Sequence, residues 1–177
     1  SKNQKQAAAI RYKNGVYLEF SGSLGHELSV KSLEDRRQGI RLLNVKENME
    51  TKQVKAIVYV PDGKEVHFLN KVKAYGTEVS KKSGNPKNND LISSIEDISL
   101  AMLDSFWTGK IADMTDDEAK WCEVWIRYDV KNSKSAQSTL NEDLAITSLI
   151  QCCEKLGIEV NERTLTFPER IVKLIFA

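Results

Sequence analysis

The chain has 177 residues, of which 41% are hydrophobic and 29% charged, and its formal net charge is +1. This composition predicts a folded protein with a real core and excludes a low-complexity chain, while the near-neutral charge gives no overall field that would attract a nucleic acid or a membrane surface. No apolar run approaches the roughly 18 residues of a membrane-spanning helix, and no secretory signal opens the chain. We therefore expect a soluble, cytoplasmic protein.

The three cysteines predict free thiols in a reducing compartment, because their number is odd and two are neighbours in sequence. Cys152 and Cys153 fit small core positions of a helix, and the alternative is a reactive thiol.

The first elements in chain order predict an α+β half over residues 1–83. Residues 10–20 read as a strand whose Asn-Gly step makes it either a hairpin or an interrupted strand. One or two helical turns are expected within 28–37. Strands at 40–47 and 53–60 follow, and then a helix after Asp62. In the second strand Val54, Ala56, Val58 and Val60 alternate with Lys55, Ile57 and Tyr59, which predicts one well-buried face.

An apolar stripe with helical spacing follows between Gly84 and Trp107. Its members are Leu91, Ile95, Ile98, Met102 and Phe106. Because they recur at intervals of four and three, the pattern predicts one long central helix over 84–107.

The remaining residues, 108–177, predict a second α+β half. A strand beginning at Trp121, a helix from Thr139 and two strands at 158–167 and 171–176 give the order strand, helix, strand, strand. This is a split βαβ unit of the ferredoxin-like kind without its last helix and strand. The predicted fold class is therefore α+β, with two ferredoxin-like halves around a central long helix and the second half truncated at its C-terminus; a single compact unit is the alternative.

The first and last residues bear on completeness. The chain starts at Ser1 rather than Met and stops at Ala177 within an apolar run, so we expect a fragment of a longer protein.

Catalytic and cofactor motifs are missing from the sequence. It contains no phosphate loop, no Gly-x-Gly-x-x-Gly fingerprint and no Gly-x-Ser-x-Gly elbow, and neither His26 nor His67 has partners at metal-ligand spacing. An acidic run at 113–118 and a basic run at 71–87 read as solvated segments, with a cation site and a phosphate site as the respective alternatives. We predict no catalytic, cofactor-binding or metal-binding residue.

Two features suggest contact with another protein. Trp125 shares its strand face with Glu123 and Arg127 and either contacts a partner or packs under the central helix. The turn Phe167-Pro168-Glu169-Arg170 is either a docking surface or a plain hairpin connection. The candidate docking residues are Trp125, Phe167, Pro168, Glu169 and Arg170.

Four segments, in order along nearly the whole chain, resemble the N-terminal region of large bacterial subtilisin-like serine proteases, the subtilases. They are Gly15–Phe20, Ser32–Val45, Pro86–Trp107 and Phe167–Arg170. The strand Trp121–Trp125 resembles the tryptophan-rich strand of the same family, with Cys122 in place of a common second tryptophan. The resemblance implies a bacterial protein in which this region precedes the catalytic domain.

The triad contexts of a subtilase are absent, since His26 precedes Glu27, His67 precedes Phe68, and no Asp-Ser/Thr-Gly or Gly-Thr-Ser sequence occurs. The resemblance therefore implies a non-catalytic, propeptide-like module that helps its own subtilisin-like catalytic domain to fold or holds it inactive, without a cofactor. The alternative is a recognition module for a partner or substrate, for example one that docks an AAA-type ATPase. We expect neither nucleic acid nor membrane as a partner.

Overall fold

The structure is a computed structural model that describes residues 14–109, 118–128, 136–168 and 170–177. The chain divides into two compact units. Residues 14–109 are the described part of the first unit, and the described residues from 118 onwards belong to the second. The fold is mixed α+β, with two antiparallel sheets, four α-helices and one 3₁₀ helix within these ranges, as the sequence predicts at this level.

The first unit is a four-stranded sheet with helical segments. Its elements are β1 (Gly15–Gly22), a 3₁₀ helix (Val30–Leu33), β2 (Arg41–Glu47), β3 (Val54–Pro61), α1 (Val66–Thr77), α2 (Asn89–Ile92), β4 (Ile95–Leu100) and α3 (Leu103–Phe106). The strands lie in the order β2-β3-β1-β4, and every neighbouring pair is antiparallel. Strands β1 and β2 are therefore parallel to each other with β3 between them, and β3 and β4 are parallel with β1 between them.

The core of the first unit lies on one face of this sheet. Alternation in β1 and β3 places Phe20 and Val58 on that face, where both are fully buried. Helix α1 covers them through Phe68, whose ring centroid lies 4.9 Å from that of Phe20. The predicted strands at 40–47 and 53–60 and the helix after Asp62 are thus confirmed.

The start of β1 needs a glycine. A Cβ at Gly15 would lie 2.4 Å from the carbonyl oxygen of Val60 on β3, so any side chain would push the strands apart. For residues 10–20 the sequence predicts either a hairpin or an interrupted strand. The strand after the Asn-Gly step is confirmed by β1, and residues 1–13 lie outside the described ranges.

The predicted central helix over 84–107 is wrong. This segment forms α2, β4 and α3, because β1 offers an edge with which β4 pairs from Leu18–Leu100 to Gly22–Ile95. Ser94 ends α2 by donating its Oγ proton to the carbonyl of Leu91, at 2.8 Å. Pairing across the sheet outweighs the local helical spacing.

The second unit is a three-stranded sheet with one long helix. Its elements are β5 (Trp121–Arg127), α4 (Ala136–Leu156), β6 (Glu159–Phe167) and β7 (Arg170–Phe176), and the strands lie in the order β5-β7-β6 with both pairs antiparallel. The predicted order strand, helix, strand, strand is confirmed. Strands β5 and β6 are parallel to each other, with β7 inserted between them.

None of the helices in the described ranges is both long and apolar enough to cross a membrane.

Candidate docking surface

The second sheet exposes an apolar face. Residues that lie opposite each other in an antiparallel pair project to the same side, so the register Trp121–Phe176, Trp125–Val172 and Val172–Leu165 defines this side. Six large exposed side chains project from it, and we call them the outer apolar face: Trp121, Trp125, Leu165, Phe167, Leu174 and Phe176. Exposed apolar clusters of this kind mark interaction sites more often than isolated surface residues do.

The aromatic rings of the outer apolar face are held in place. The ring of Trp125 stacks on that of Phe167 with centroids 5.7 Å apart and planes 16° apart. The indole Nε1 of Trp125 donates to Glu123 Oε2 at 3.0 Å, yet Trp125 remains 55% exposed. Ordered aromatic side chains lose little freedom when a partner covers them, so this surface is preorganised for binding.

The opposite side of the sheet faces α4. Thr166 Oγ1 donates to Glu142 Oε1 of this helix at 2.9 Å, and Cys153 is buried there. Burial raises the pKa of the Cys153 thiol, with a smaller contribution from Cys152, and a thiol with a raised pKa is a poor nucleophile. The interpretation of Cys153 as a core residue is thereby confirmed, whereas Cys152 is half-buried.

The structure brings together most of the residues that the sequence singles out for docking. Phe167 lies opposite Arg170 in the register, and Arg170 also lies opposite Arg127. The ring of Trp125 contacts that of Phe167. The alternative prediction, that Trp125 packs under a central helix, is wrong because residues 95–100 form a strand. Pro168 is exposed at the turn, and Glu169 lies outside the described residues.

Sequence reasoning missed Leu165, Leu174 and Phe176. Their alternation along β6 and β7 signals which of them share a side of their own strand. It does not say which side faces α4, because that follows from the pairing with β5.

The equivalent face of the first sheet is covered by its own chain. Phe106 of α3 meets the ring of Tyr17 edge-on at 5.5 Å, and Ser105 hydrogen-bonds Glu19. Lys46 Nζ donates to the carbonyl oxygens of Asp104, at 3.1 Å, and of Trp107. In the first unit, therefore, the segment 102–107 covers the side of the sheet whose counterpart in the second unit is exposed.

Glu19 is the charged centre under that segment. Burial raises the pKa of Glu19. The hydrogen bonds from Lys55, at 2.6 Å, and from Ser105, together with the positive charges of Lys55 and Lys46, lower the pKa by more than burial raises it. The net pKa of Glu19 lies below its usual value, so the carboxylate stays ionised and anchors the segment.

A polar cavity of about 420 Å³ lies elsewhere in the first unit, between residues 32–35, α1 and residues 80–91. Lys71 Nζ donates to the carbonyl of Ser32 at 2.7 Å and lies 5.6 Å from the centroid of the Phe68 ring. Burial lowers the pKa of Lys71, and Asp35 opposes this in part. Residues of the segments 32–45 and 86–107 line this cavity together.

Two of the lysines in the predicted basic run have protein partners. Lys71 hydrogen-bonds the carbonyl of Ser32, and Lys87 Nζ lies 2.8 Å from Glu78 Oε2.

The histidines and acidic residues form no metal centre in the part of the chain that the structure describes, where no group of three or more His, Cys, Asp or Glu side chains could hold an ion. Burial lowers the pKa of His67, and the charge of nearby Lys71 lowers it further. The acidic run at 113–118 lies almost wholly outside the described residues.

No protein-family model and no curated protein matches the chain. The expectation of a subtilase therefore has no support beyond the segments named in the sequence analysis.

Proposed function

We propose that this chain is the non-catalytic N-terminal region of a bacterial, cytoplasmic subtilisin-like serine endopeptidase, and that it acts as a propeptide-like module for the catalytic domain. The observation that carries this proposal is the outer apolar face, a preorganised aromatic surface on one side of a sheet whose other side is covered by α4. The catalytic domain is the occupant that we assign to it.

The strand orders support a ferredoxin-like reading of both units. The order β2-β3-β1-β4 with two inserted strands is that of a split βαβ fold, in which the 3₁₀ helix takes the place of the first helix. The order β5-β7-β6 repeats it without a fourth strand. Subtilisin propeptides are ferredoxin-like and lay a sheet face on the protease, which matches the exposure of this face.

The energetics of such docking are sufficient for a specific complex. A buried aromatic side chain removes about 150–250 Å² from water, and apolar burial is worth roughly 25 cal/mol per Å². A module that binds the native protease and not the unfolded chain stabilises the native state by RT ln(1 + [module]/Kd), so the same contacts assist folding and block the enzyme.

The test is hydrolysis of a chromogenic peptide by the separately produced catalytic domain of the parent protease, titrated with the 177-residue chain. We expect slower hydrolysis, faster refolding of the denatured catalytic domain, and roughly 10- to 30-fold weaker binding for Trp125→Ala. Leu156→Ala is the matched control, because Leu156 is 74% exposed at the end of α4. The proposal fails if the chain neither binds nor affects hydrolysis and refolding, or if Trp125→Ala binds as well as the unmodified chain.

The polar cavity favours a second candidate, recognition of a partner protein such as an AAA-type ATPase by the first unit. Lysine, carboxylate, amide and hydroxyl groups line it, and these suit a polar loop rather than an apolar face. On this reading Lys71→Met weakens ATPase binding, whereas Trp125→Ala changes neither ATPase binding nor peptide hydrolysis. Loss of ATPase binding with Trp125→Ala and not with Lys71→Met would exclude it.

A further inference from the structure

Strand β5 has an unbroken edge. Of the four strands at the sheet edges, three have an irregular register with their neighbour: β2 between Leu42 and Asn44, β4 where it pairs with β1 at Ser21 and Gly22, and β6 between Val160 and Thr164. Such bulges protect an edge against pairing with another strand. The register of β5 with β7 runs without a break from Trp121–Phe176 to Arg127–Arg170.

The first unit shows what this edge can hold. Strand β5 corresponds to β1, since each opens its unit and has the strand of a later hairpin inserted beside it. The other edge of β1 is paired with β4, whereas no strand in the described ranges pairs with the other edge of β5. Within the described ranges that edge has no strand partner, and the backbone N–H and C=O groups of an unpaired edge can pair with a further strand.

The side chains of β5 are self-complementary in one antiparallel register. Glu123 and Arg127 lie on the same side of the strand, at equal distances before and after Trp125. If two copies pair with Trp125 opposite Trp125, Glu123 of each copy lies opposite Arg127 of the other. Opposite charges placed directly across antiparallel strands attract, and like charges repel.

The alternative registers lack this match. Pairing centred on Glu123 or on Arg127 places like charges opposite each other, and pairing centred on Val124 or Ile126 places a charged residue opposite a tryptophan. Charge complementarity thus selects a single register. Glu123 keeps one carboxylate oxygen beyond the bond from Trp125, and a guanidinium has five donors, so both groups can add this contact to those they make within one copy.

We propose that two copies of this chain associate through antiparallel pairing of their β5 edges about Trp125, in a two-fold symmetric dimer with one continuous sheet across both second units. Each contact then occurs twice, as in any isologous interface. The two outer apolar faces lie side by side on the same side of the joined sheet. This inference does not depend on the proposed role toward a protease.

The expected dimer is weak, because pairing of one short strand buries less than a standard interface. The experiment is sedimentation velocity of the 177-residue chain over a concentration series that reaches roughly 1 mM. We expect reversible association, and concentration-dependent protection of β5 backbone amides from hydrogen exchange.

Charge reversal tests the register. Glu123→Arg and Arg127→Glu each place like charges opposite each other twice, and each is expected to weaken dimerisation about 5- to 10-fold. The double variant Glu123→Arg/Arg127→Glu restores opposite pairs, as does an equimolar mixture of the two single variants, so both are expected to dimerise like the unmodified chain. Glu159→Arg, an exposed change on β6, is the control and should leave association unchanged.

Three results would overturn the inference. They are an unmodified chain that stays monomeric over the whole series, single variants that dimerise as well as the unmodified chain, and a double variant that is as weak as the single ones. Association without added protection of β5 amides would place the interface elsewhere and has the same consequence.

Discussion

Lys173 on β7 is a buried lysine that serves the bulge of β6, and its removal is our most informative stability test. Its side chain is 3% exposed, and Nζ donates to the carbonyl oxygens of Asn161, Glu162 and Arg163 at 2.7, 3.2 and 3.2 Å. These three residues lie in the irregular stretch of β6 opposite β7. We expect Lys173→Met to keep the packing of the stem and to remove all three hydrogen bonds.

The expected loss follows from these contacts. A hydrogen bond to a charged group is worth about 1.5–3 kcal/mol. Three bonds that share one ammonium do not add, and methionine avoids the cost of burying a charge. We therefore expect the free energy of unfolding of the second unit to fall by about 2 kcal/mol.

Hydrogen exchange is the suitable assay, because the two units need not unfold together and a single global transition would mix them. A loss of about 2 kcal/mol accelerates exchange of the most protected β6 and β7 amides roughly 30-fold. Lys155→Met, which changes an exposed lysine of α4, is the control. The reasoning is refuted if Lys173→Met changes exchange by less than about twofold, or by no more than Lys155→Met does.

Three further changes test the described packing and charges. Phe20→Ala is expected to lower the free energy of unfolding of the first unit by about 3–5 kcal/mol, measured by hydrogen exchange of the most protected β1 and β3 amides, since the ring is fully buried; a loss below about 1 kcal/mol would contradict the packing. The lowered pKa of Glu19 contributes stability that is present above its usual value of 4.5 and is lost as the pH falls through the lowered value. In thermal melts at several pH values, the melting temperature of the unmodified chain should therefore be higher than that of Glu19→Gln at neutral pH, and the two should become equal in acid. A difference in melting temperature that stays constant with pH would rule this out. Burial of Cys153 with its raised pKa predicts slower alkylation than that of half-buried Cys152, which mass spectrometry of labelled peptides can compare; equal rates would contradict it.

The strands that the sequence predicts correctly carry their own evidence. In β3 Ala56, Val58 and Val60 share one buried side, although Ile57 and Tyr59 on the other side are buried as well. In β5 Trp121, Glu123 and Trp125 alternate with smaller residues on the α4 side. Such alternation is local information. It also places Trp125 on an exposed side without reference to any other strand.

The segment 84–107 fails for the opposite reason. Its helical spacing is real, but the edge of β1 satisfies the backbone groups of residues 95–100, and this edge is distant in sequence. Ile98 and Met102 of the predicted buried stripe are exposed as a result. Spacing alone does not reveal a pairing partner elsewhere in the chain.

The residues of the outer apolar face likewise differ in whether local sequence alone can reveal them. Trp125 and Phe167 can be selected from the sequence, because each is a large aromatic residue beside a strand end or among charges. Leu165 cannot, since its side of the sheet depends on how many residues the β6 bulge inserts before it. The bulge depends in turn on Lys173, which the sequence alone shows only as one charge in an apolar strand.

The insertion of β7 between β5 and β6 also dictates when the second unit can form during synthesis. Chains leave the ribosome from the N-terminus, so β5 emerges first and β7 last. Among the described strands, β5 and β6 each pair only with β7, so these pairings cannot form until β7 has been translated. The three strands therefore join only after β7 emerges, and their pairing depends on contacts between residues that are distant in sequence.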